Sequence, residues 1–271
     1  MEEALKRTLK RIPFVKPIYR RWRAWRDEAK ARELFSNYEV YFRALAQKGV
    51  GTVALETRDG LSITIRQNIW DARIIKEIFI DKPYTRYFDL PANPTILDIG
   101  GYIGDFSIYA VKYLNADKVI VYEPIAENFA ILKKNIENNH FEDRITAVNK
   151  AVSNSFEVQL NVEIQESEEV HVSAYWYQEA ERRMIASVTL AEILTNHQLH
   201  SIDLLKVDCE GGEYDIFPTV SDEAFTRIRN IVFEHHRVDG FEEKLDTILN
   251  RLKSAGYTLR LAGQIAYAFR R

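Results

Sequence analysis

From Thr95 onward, short apolar runs alternate with longer stretches in which apolar residues recur every third or fourth position. Runs near 95–99, 118–122, 145–149, 202–207, 229–234, 257–261 and 265–270 predict seven strands, and the stretches between most of them predict helices. A helix between two strands of one sheet forces a crossover and parallel pairing. Only Ala262, Gly263 and Gln264 separate the last two runs, so those two must be antiparallel. The expected fold class is α/β: a doubly wound, mostly parallel, Rossmann-like seven-stranded sheet with an antiparallel last strand.

Upstream the pattern is different. A helix is expected from about Ala29 to Gln47, then a hairpin in TVALETRDGLSITIRQ around Arg58, Asp59 and Gly60, where Asp-Gly favours a tight primed turn. Asp71 to Asp81 reads as a helix, and Pro91 and Pro94 mark the entry to the main sheet. This divides the chain into a basic amphipathic helical arm (1–50), a hairpin and helix leading into the core (51–94) and the main domain (95–271). One stretch, 155–187, breaks the regular alternation. FEVQLNVEI alternates like a strand, Glu166 to Glu169 is acidic, and Tyr175, Trp176 and Tyr177 form an aromatic cluster, so a substrate lid or an edge hairpin is expected there.

Candidate chemistry gathers where the predicted strands end. TILDIGGYIGDFS places Asp98, Gly100, Gly101, Tyr102 and Gly104 in a tight turn, and KVIVYEP ends its strand at Glu123 and Pro124. Glycines let the backbone approach a ligand, and a carboxylate at the tip of the second strand suits a ribose diol. A dinucleotide site wants GxGxxG to seat a pyrophosphate on free amides. Here the middle glycine is displaced, and Asp98 would repel phosphate but suit a cationic ligand such as S-adenosylmethionine. The alternative cofactor class, nicotinamide for an oxidoreductase or epimerase, is disfavoured by that spacing and by the lack of a Tyr-x-x-x-Lys pair.

A second constellation follows in SIDLLKVDCEGGEYDIF, where the apolar run breaks into Asp208, Glu210, Gly211, Gly212 and Glu213. Together DIGGYIGDFS, YEPIAENFAILKKNI and LLKVDCEGGEYDIF resemble the FkbM family of S-adenosylmethionine-dependent methyltransferases, over roughly Asp59 to Leu261. Gly212 stands where that family usually has a small residue after the double-acid turn, a mild departure, and the first 50 residues carry no part of the likeness. The resemblance implies the methyltransferase version of the doubly wound sheet and O-methylation of a hydroxyl on a sugar, glycolipid, polyketide or related metabolite. A non-catalytic binding module on the same fold is the third reading.

A hydroxyl is a poor nucleophile until its proton is taken, so a general base is expected near the methyl group. His235 and His236 follow the run NIVFE, and because successive strand residues face opposite ways only one should reach the pocket, with His235 preferred. Asp208 is the third catalytic candidate and also a cofactor candidate. A divalent metal held by Asp208, Glu210 and Glu234 is the alternative activator, although no metal is favoured. Otherwise Glu210 and Glu213 cap the next helix. The turn after the fourth strand is not the Asn/Asp-Pro-Pro-aromatic type used on nucleobases, so no nucleic-acid partner is expected.

Charge changes the picture at one end only. The 271 residues carry a net charge of −3, but residues 1–35 hold 11 Lys and Arg against 5 Asp and Glu, leaving −9 for the rest. Leu5, Leu9 and Ile12, then Ile18, Tyr19, Trp22 and Trp25, form apolar stripes within this basic arm. Packing on the domain or a partner subunit is the first expectation for it, and peripheral membrane contact the second. No window approaches the ~18 uninterrupted apolar residues of a membrane span, and the early apolar residues are too interrupted by Lys6, Arg7, Lys10 and Arg11 for a secretory signal. Cys209 is the single cysteine, its thiol expected to be poorly ionised between two acids, which excludes an internal disulfide and fits a cytoplasmic protein.

Overall fold

Seven strands form one twisted sheet: β3 (Thr95–Ile99), β4 (Lys118–Tyr122), β5 (Ile145–Val148), β10 (Leu204–Val207), β11 (Asn230–Glu234), β12 (Thr258–Ala262) and β13 (Ile265–Phe269). In the computed structural model, which describes residues 15–46, 49–164, 170–173, 181–238 and 240–270, their order is β12-β13-β11-β10-β3-β4-β5. β3, β4, β5, β10 and β11 pair in parallel, and β13 alone runs against its neighbours β11 and β12. The expected doubly wound sheet is present. Strand order reverses between β3 and β10, so the switch point, where such sheets bind ligands, lies at their carboxyl ends.

Alternation sorts the side chains onto two cores. Ile96, Val119, Val121, Leu204 and Val232 enter the core under the helices Ile69–Ile75 and Asp105–Tyr113. Leu97, Ile99, Ile120, Leu205, Ile231 and Phe233 enter the opposite one, under Leu190–Asn196 and Phe241–Ser254. The same parity places Asp98, Lys206 and Glu234 on the first face, which decides how the site is built.

Four expectations are revised, three upstream of the main sheet and one in the excursion that follows β5. The helix expected over 29–47 is two helices, Val15–Leu34 and Tyr38–Leu45. The chain breaks because Phe35, fully buried, bridges to Thr57 and the Ser36 amide bonds Glu56 O at 2.8 Å, extending the hairpin edge. That hairpin, β1 (Thr52–Glu56) with β2 (Ser62–Arg66), closes through a three-residue loop rather than a tight primed turn. The Thr57 amide bonds Leu61 O at 2.8 Å, and Gly60 takes the left-handed conformation. The Asp71–Asp81 helix is α-helical only through Ile69–Ile75 and continues as a π-turn, Lys76–Asp81.

The fourth revision is the excursion, which is not an edge hairpin of the main sheet but forms a sheet of its own. After Asn149 the chain leaves the main sheet and builds a second one from β6 (Ala151–Val152), β7 (Glu157–Ile164), β8 (Val170–Ser173) and β9 (Glu181–Val188), in the order β6-β9-β7-β8. Arg183 fastens it to the helix Ala126–Asn138 through Glu127 at 2.8 Å. The acidic patch Glu166 to Glu169, the cluster Tyr175 to Tyr177 and the stripe Leu5, Leu9 and Ile12 lie outside the described residues. Trp22 and Trp25 are exposed. No described helix is long and apolar enough to cross a membrane.

Candidate active site

The turn after β3 is shaped by what lies behind it. A Cβ on Gly100, which has φ of 82°, would meet the Asp208 carbonyl oxygen at 1.7 Å, and one on Gly101 would meet Val121 at 2.1 Å. Only glycine lets these turns approach so closely. The amides of Gly100 and Gly101 both donate to Tyr122 O at 3.0 Å, Gly104 donates to Gly101 O at 2.7 Å, and the Tyr102 amide donates to Glu123 Oε2 at 2.9 Å. Four amides of the turn are thus already paired.

Glu123 is fixed from three sides, because its Oε1 also accepts from the Ile125 amide at 3.0 Å and from Asn128 at 3.3 Å. Burial lifts its carboxyl to about 7, although those hydrogen bonds pull the other way. Tyr102 donates its hydroxyl to Asp71 at 2.7 Å, and Asp71 in turn pairs with the buried Arg66 at 3.2 Å. This network carries the hairpin and the helix Ile69–Ile75 to the β4 end of the site.

A cavity of about 670 Å³ opens along the carboxyl edge. Gly100, Tyr102, Glu123, Pro124, Asp208 and Glu210 line it. Asp98, Gly101, Gly104, Glu234, His235 and His236 are not among its lining residues. Asp98 is turned away because strand parity aims it at the helix Asp105–Tyr113 and at its register partner on β10. It accepts from Ser107 at 2.7 Å and pairs with Lys206 at 3.0 Å. Asp105 reaches the cavity instead, and burial pushes its carboxyl to about 8 against the pull of Lys206.

The two histidines separate as alternation requires, but with the preference reversed. His235 packs its ring 5.5 Å from Phe241, and its buried Nδ1 has no hydrogen-bond partner. His236 is the one that joins the acids: Nε2 lies 3.3 Å from Glu210 and 4.0 Å from Asp208, and Nδ1 lies 3.2 Å from Glu213. Burial alone would lower its pKa, but the hydrogen bond to Glu213 and the charges of Glu210 and Asp208 raise it to about 10. An imidazolium cannot accept a proton, so in this arrangement His236 is a fixed positive charge rather than a base. Burial and then Asp208 lift Glu234 to about 8, while burial lifts Glu210 to about 7. Burial, with Glu213 and Asp208, pushes up the Cys209 thiol as expected, so it is no nucleophile.

Several residues at the cavity were not foreseen. Lys206, a lone cation inside an apolar strand, was a usable sequence signal. Tyr84, whose hydroxyl donates to Asp208 at 2.9 Å and lies 3.3 Å from Glu234, was not, since the chain separates it from both by more than a hundred residues. Glu77 and Trp70 arrive with the same segment, and Ser155, Val158 and Gln159 with the side sheet.

A family model, the methyltransferase FkbM domain, matches residues 98–259, more than half of the chain. The methyltransferase sdnD of Sordaria araneosa is 27% identical over 227 residues, spanning 73% of this chain and 87% of that protein. The 31-O-demethyl-FK506 methyltransferase FkbM of Streptomyces tacrolimicus is 24% identical over 216 residues, 69% of this chain and 81% of that protein. Among solved structures, the methyltransferase FkbM from Methylobacillus flagellatus KT aligns with a TM-score of 0.47 and 15% identity, over 74% of this chain and 52% of that one.

Proposed function

The chain belongs to the FkbM methyltransferase family, and on that premise we propose that it is an S-adenosylmethionine-dependent O-methyltransferase. The acceptor in this reading is a hydroxyl of a sugar, glycolipid, polyketide or related metabolite. The observation that carries the cofactor reading is the pairing of the β3 turn. With four of its amides already bonded, the turn has little to offer a pyrophosphate, which argues against the nicotinamide alternative. Glu123 uses three of about four acceptor positions and keeps one facing the cavity, which suits a ribose hydroxyl. Asp208, rather than Asp98, supplies the negative charge for a cationic ligand end.

Bound here, S-adenosylmethionine would supply a methyl group on a sulfonium, an electrophile whose leaving group needs no protonation. The residues of the chain must then align the acceptor, exclude water and take one proton. Asp208 and Glu210 are the carboxylates that line the cavity beyond the end of β10, and Glu210, lifted by burial to about 7, is matched to that proton at neutral pH. Lys206, 3.9 Å from Asp208, holds positive charge beside the developing oxyanion. The side-sheet residues Val158 and Gln159 form the wall against which an acceptor would rest. The name of the Streptomyces tacrolimicus relative, a 31-O-demethyl-FK506 methyltransferase, supports the oxygen acceptor.

Calorimetric titration with S-adenosylhomocysteine, and in parallel with NAD, tests the cofactor. Binding of the former alone is expected, and binding of NAD alone would overturn the reading. Mass spectrometry of hydroxyl-bearing acceptors incubated with enzyme and S-adenosylmethionine tests the chemistry. Gain of a methyl on oxygen is expected, whereas methylation confined to nitrogen or carbon acceptors would refute O-transfer.

A further inference from the structure

Where β10 and β11 end, Asp208, Glu234 and His236 each present one ligand atom, and these atoms all lie within 4.8 Å of one another. The convergence follows from the strands. Glu234 and His236 are two residues apart at the end of β11, and Asp208 follows Lys206 by two at the end of β10, so adjacent parallel strands deliver them to one face.

An imidazole held in one orientation distinguishes this group from a patch of solvated acids. Glu213 Oε1 accepts from the His236 amide at 2.9 Å and lies 3.2 Å from Nδ1, and the Glu213 carboxylate is completely buried. That leaves Nε2 directed toward Asp208 and Glu210. A ring nitrogen backed by a carboxylate, with the other nitrogen facing further oxygen ligands, is how proteins orient metal-binding histidines. The two carboxylates are held together as well, since the buried Tyr84 hydroxyl bridges Asp208 Oδ2 at 2.9 Å and Glu234 Oε2 at 3.3 Å. Glu77, Asp105 and Glu210 stand close by, while Lys206 sits nearer to Asp98, at 3.0 Å, than to Asp208, at 3.9 Å.

We propose that Asp208, Glu234 and His236 bind one divalent cation of the oxygen-preferring kind, Mg²⁺ or Mn²⁺, at the edge of the methyl-transfer cavity. Two carboxylates and one imidazole leave about three positions of an octahedral shell for water or an acceptor hydroxyl. Asp208, which lines the cavity, turns those positions toward the acceptor. A hydroxyl bound there would be acidified, its proton passing to Glu210 as its oxygen bonds the methyl carbon and the carbon–sulfur bond breaks to release S-adenosylhomocysteine. The role of the ion rests on the O-methyltransferase reading, but its binding does not.

The test uses the full chain, stripped with chelator and titrated with Mn²⁺ under electron paramagnetic resonance. Loss of the free-ion signal at about one Mn²⁺ per chain is expected, with affinity weakened about tenfold or more in Glu234→Gln and in His236→Ala. Pulsed measurement on the wild-type protein should show a nitrogen coupling to the bound ion, a readout that needs no variant to fold. An unchanged free-ion signal, or binding without the nitrogen coupling, would overturn the site. S-adenosylhomocysteine titration on the same samples separates the two readings. Cofactor binding without Mn²⁺ binding defeats the cation alone, and Mn²⁺ binding without cofactor binding defeats the function alone.

Discussion

β10 and the side sheet built around β7 meet the same cavity from structures of very different solidity. In β10, Leu204, Leu205 and Val207 are completely buried between two helical layers, and even Lys206 is buried and paired. The side sheet rests on Leu160 and Val162 packed with Ile125, while Phe156 beside β7 and Met184 on β9 are exposed at 87% and 61%. A group that must orient the reacting hydroxyl has to be held to a fraction of an ångström, and the two-sided core behind Asp208 does that. A wall that recognises an acceptor can tolerate local opening, which a core of three buried side chains allows. On the proposed reading, chemistry sits on the main sheet and selectivity on its neighbour.

The largest effect that could break this contrast is at Asp208. Asp208→Asn should lower kcat by about 1,000-fold with little change in melting temperature, because it removes a charge at the strand end and no core contact. A loss of similar size from Gln159→Ala would erase the distinction between the two sheets. Next comes stability. Leu205→Ala should cost about 3 kcal/mol in denaturant unfolding, whereas Leu160→Ala should mainly speed hydrogen exchange across residues 157–162. Cooperative loss of the whole domain in the second variant would show the side sheet to be part of one folding unit.

Glu123→Ala should raise the dissociation constant for S-adenosylhomocysteine by about tenfold, near 1.4 kcal/mol. Because burial raises the Glu123 carboxyl from 4.5 to about 7, its neutral form stabilises the fold. That contribution is complete below the unfolded value and is lost as pH rises through the folded one. Glu123→Gln should therefore raise the melting temperature at about pH 8 and leave it unchanged at about pH 4. The smallest expected change is an increase of about threefold in acceptor KM for Gln159→Ala, with cofactor affinity unaffected.

Much of the scaffold was legible because it depends on local alternation. The runs at 95–99 and 118–122 needed only their own residues to declare buried strands, and Gly100 and Glu123 fell at their ends, where ligands bind. The errors were of a different kind. Asp98 looked free because the lysine that pairs with it lies 108 residues away. His235 and His236 were correctly separated by parity, but parity alone does not say which face carries the acids. The helix expected over 29–47 failed at Phe35, whose burial against the hairpin outweighs a continuous helix.

What the sequence determined by itself was the order of strands and helices, the antiparallel finish and the edge on which the site would stand. Those follow from periodicity and connection length, which are properties of neighbours in the chain. Tertiary structure alone decided which acids face the cavity, that Tyr84 bridges Asp208 and Glu234, and that β6, β7, β8 and β9 form a separate sheet. Each of these turns on a partner distant in the chain. The energy of a buried charge depends on what surrounds it, and no local pattern carries that information.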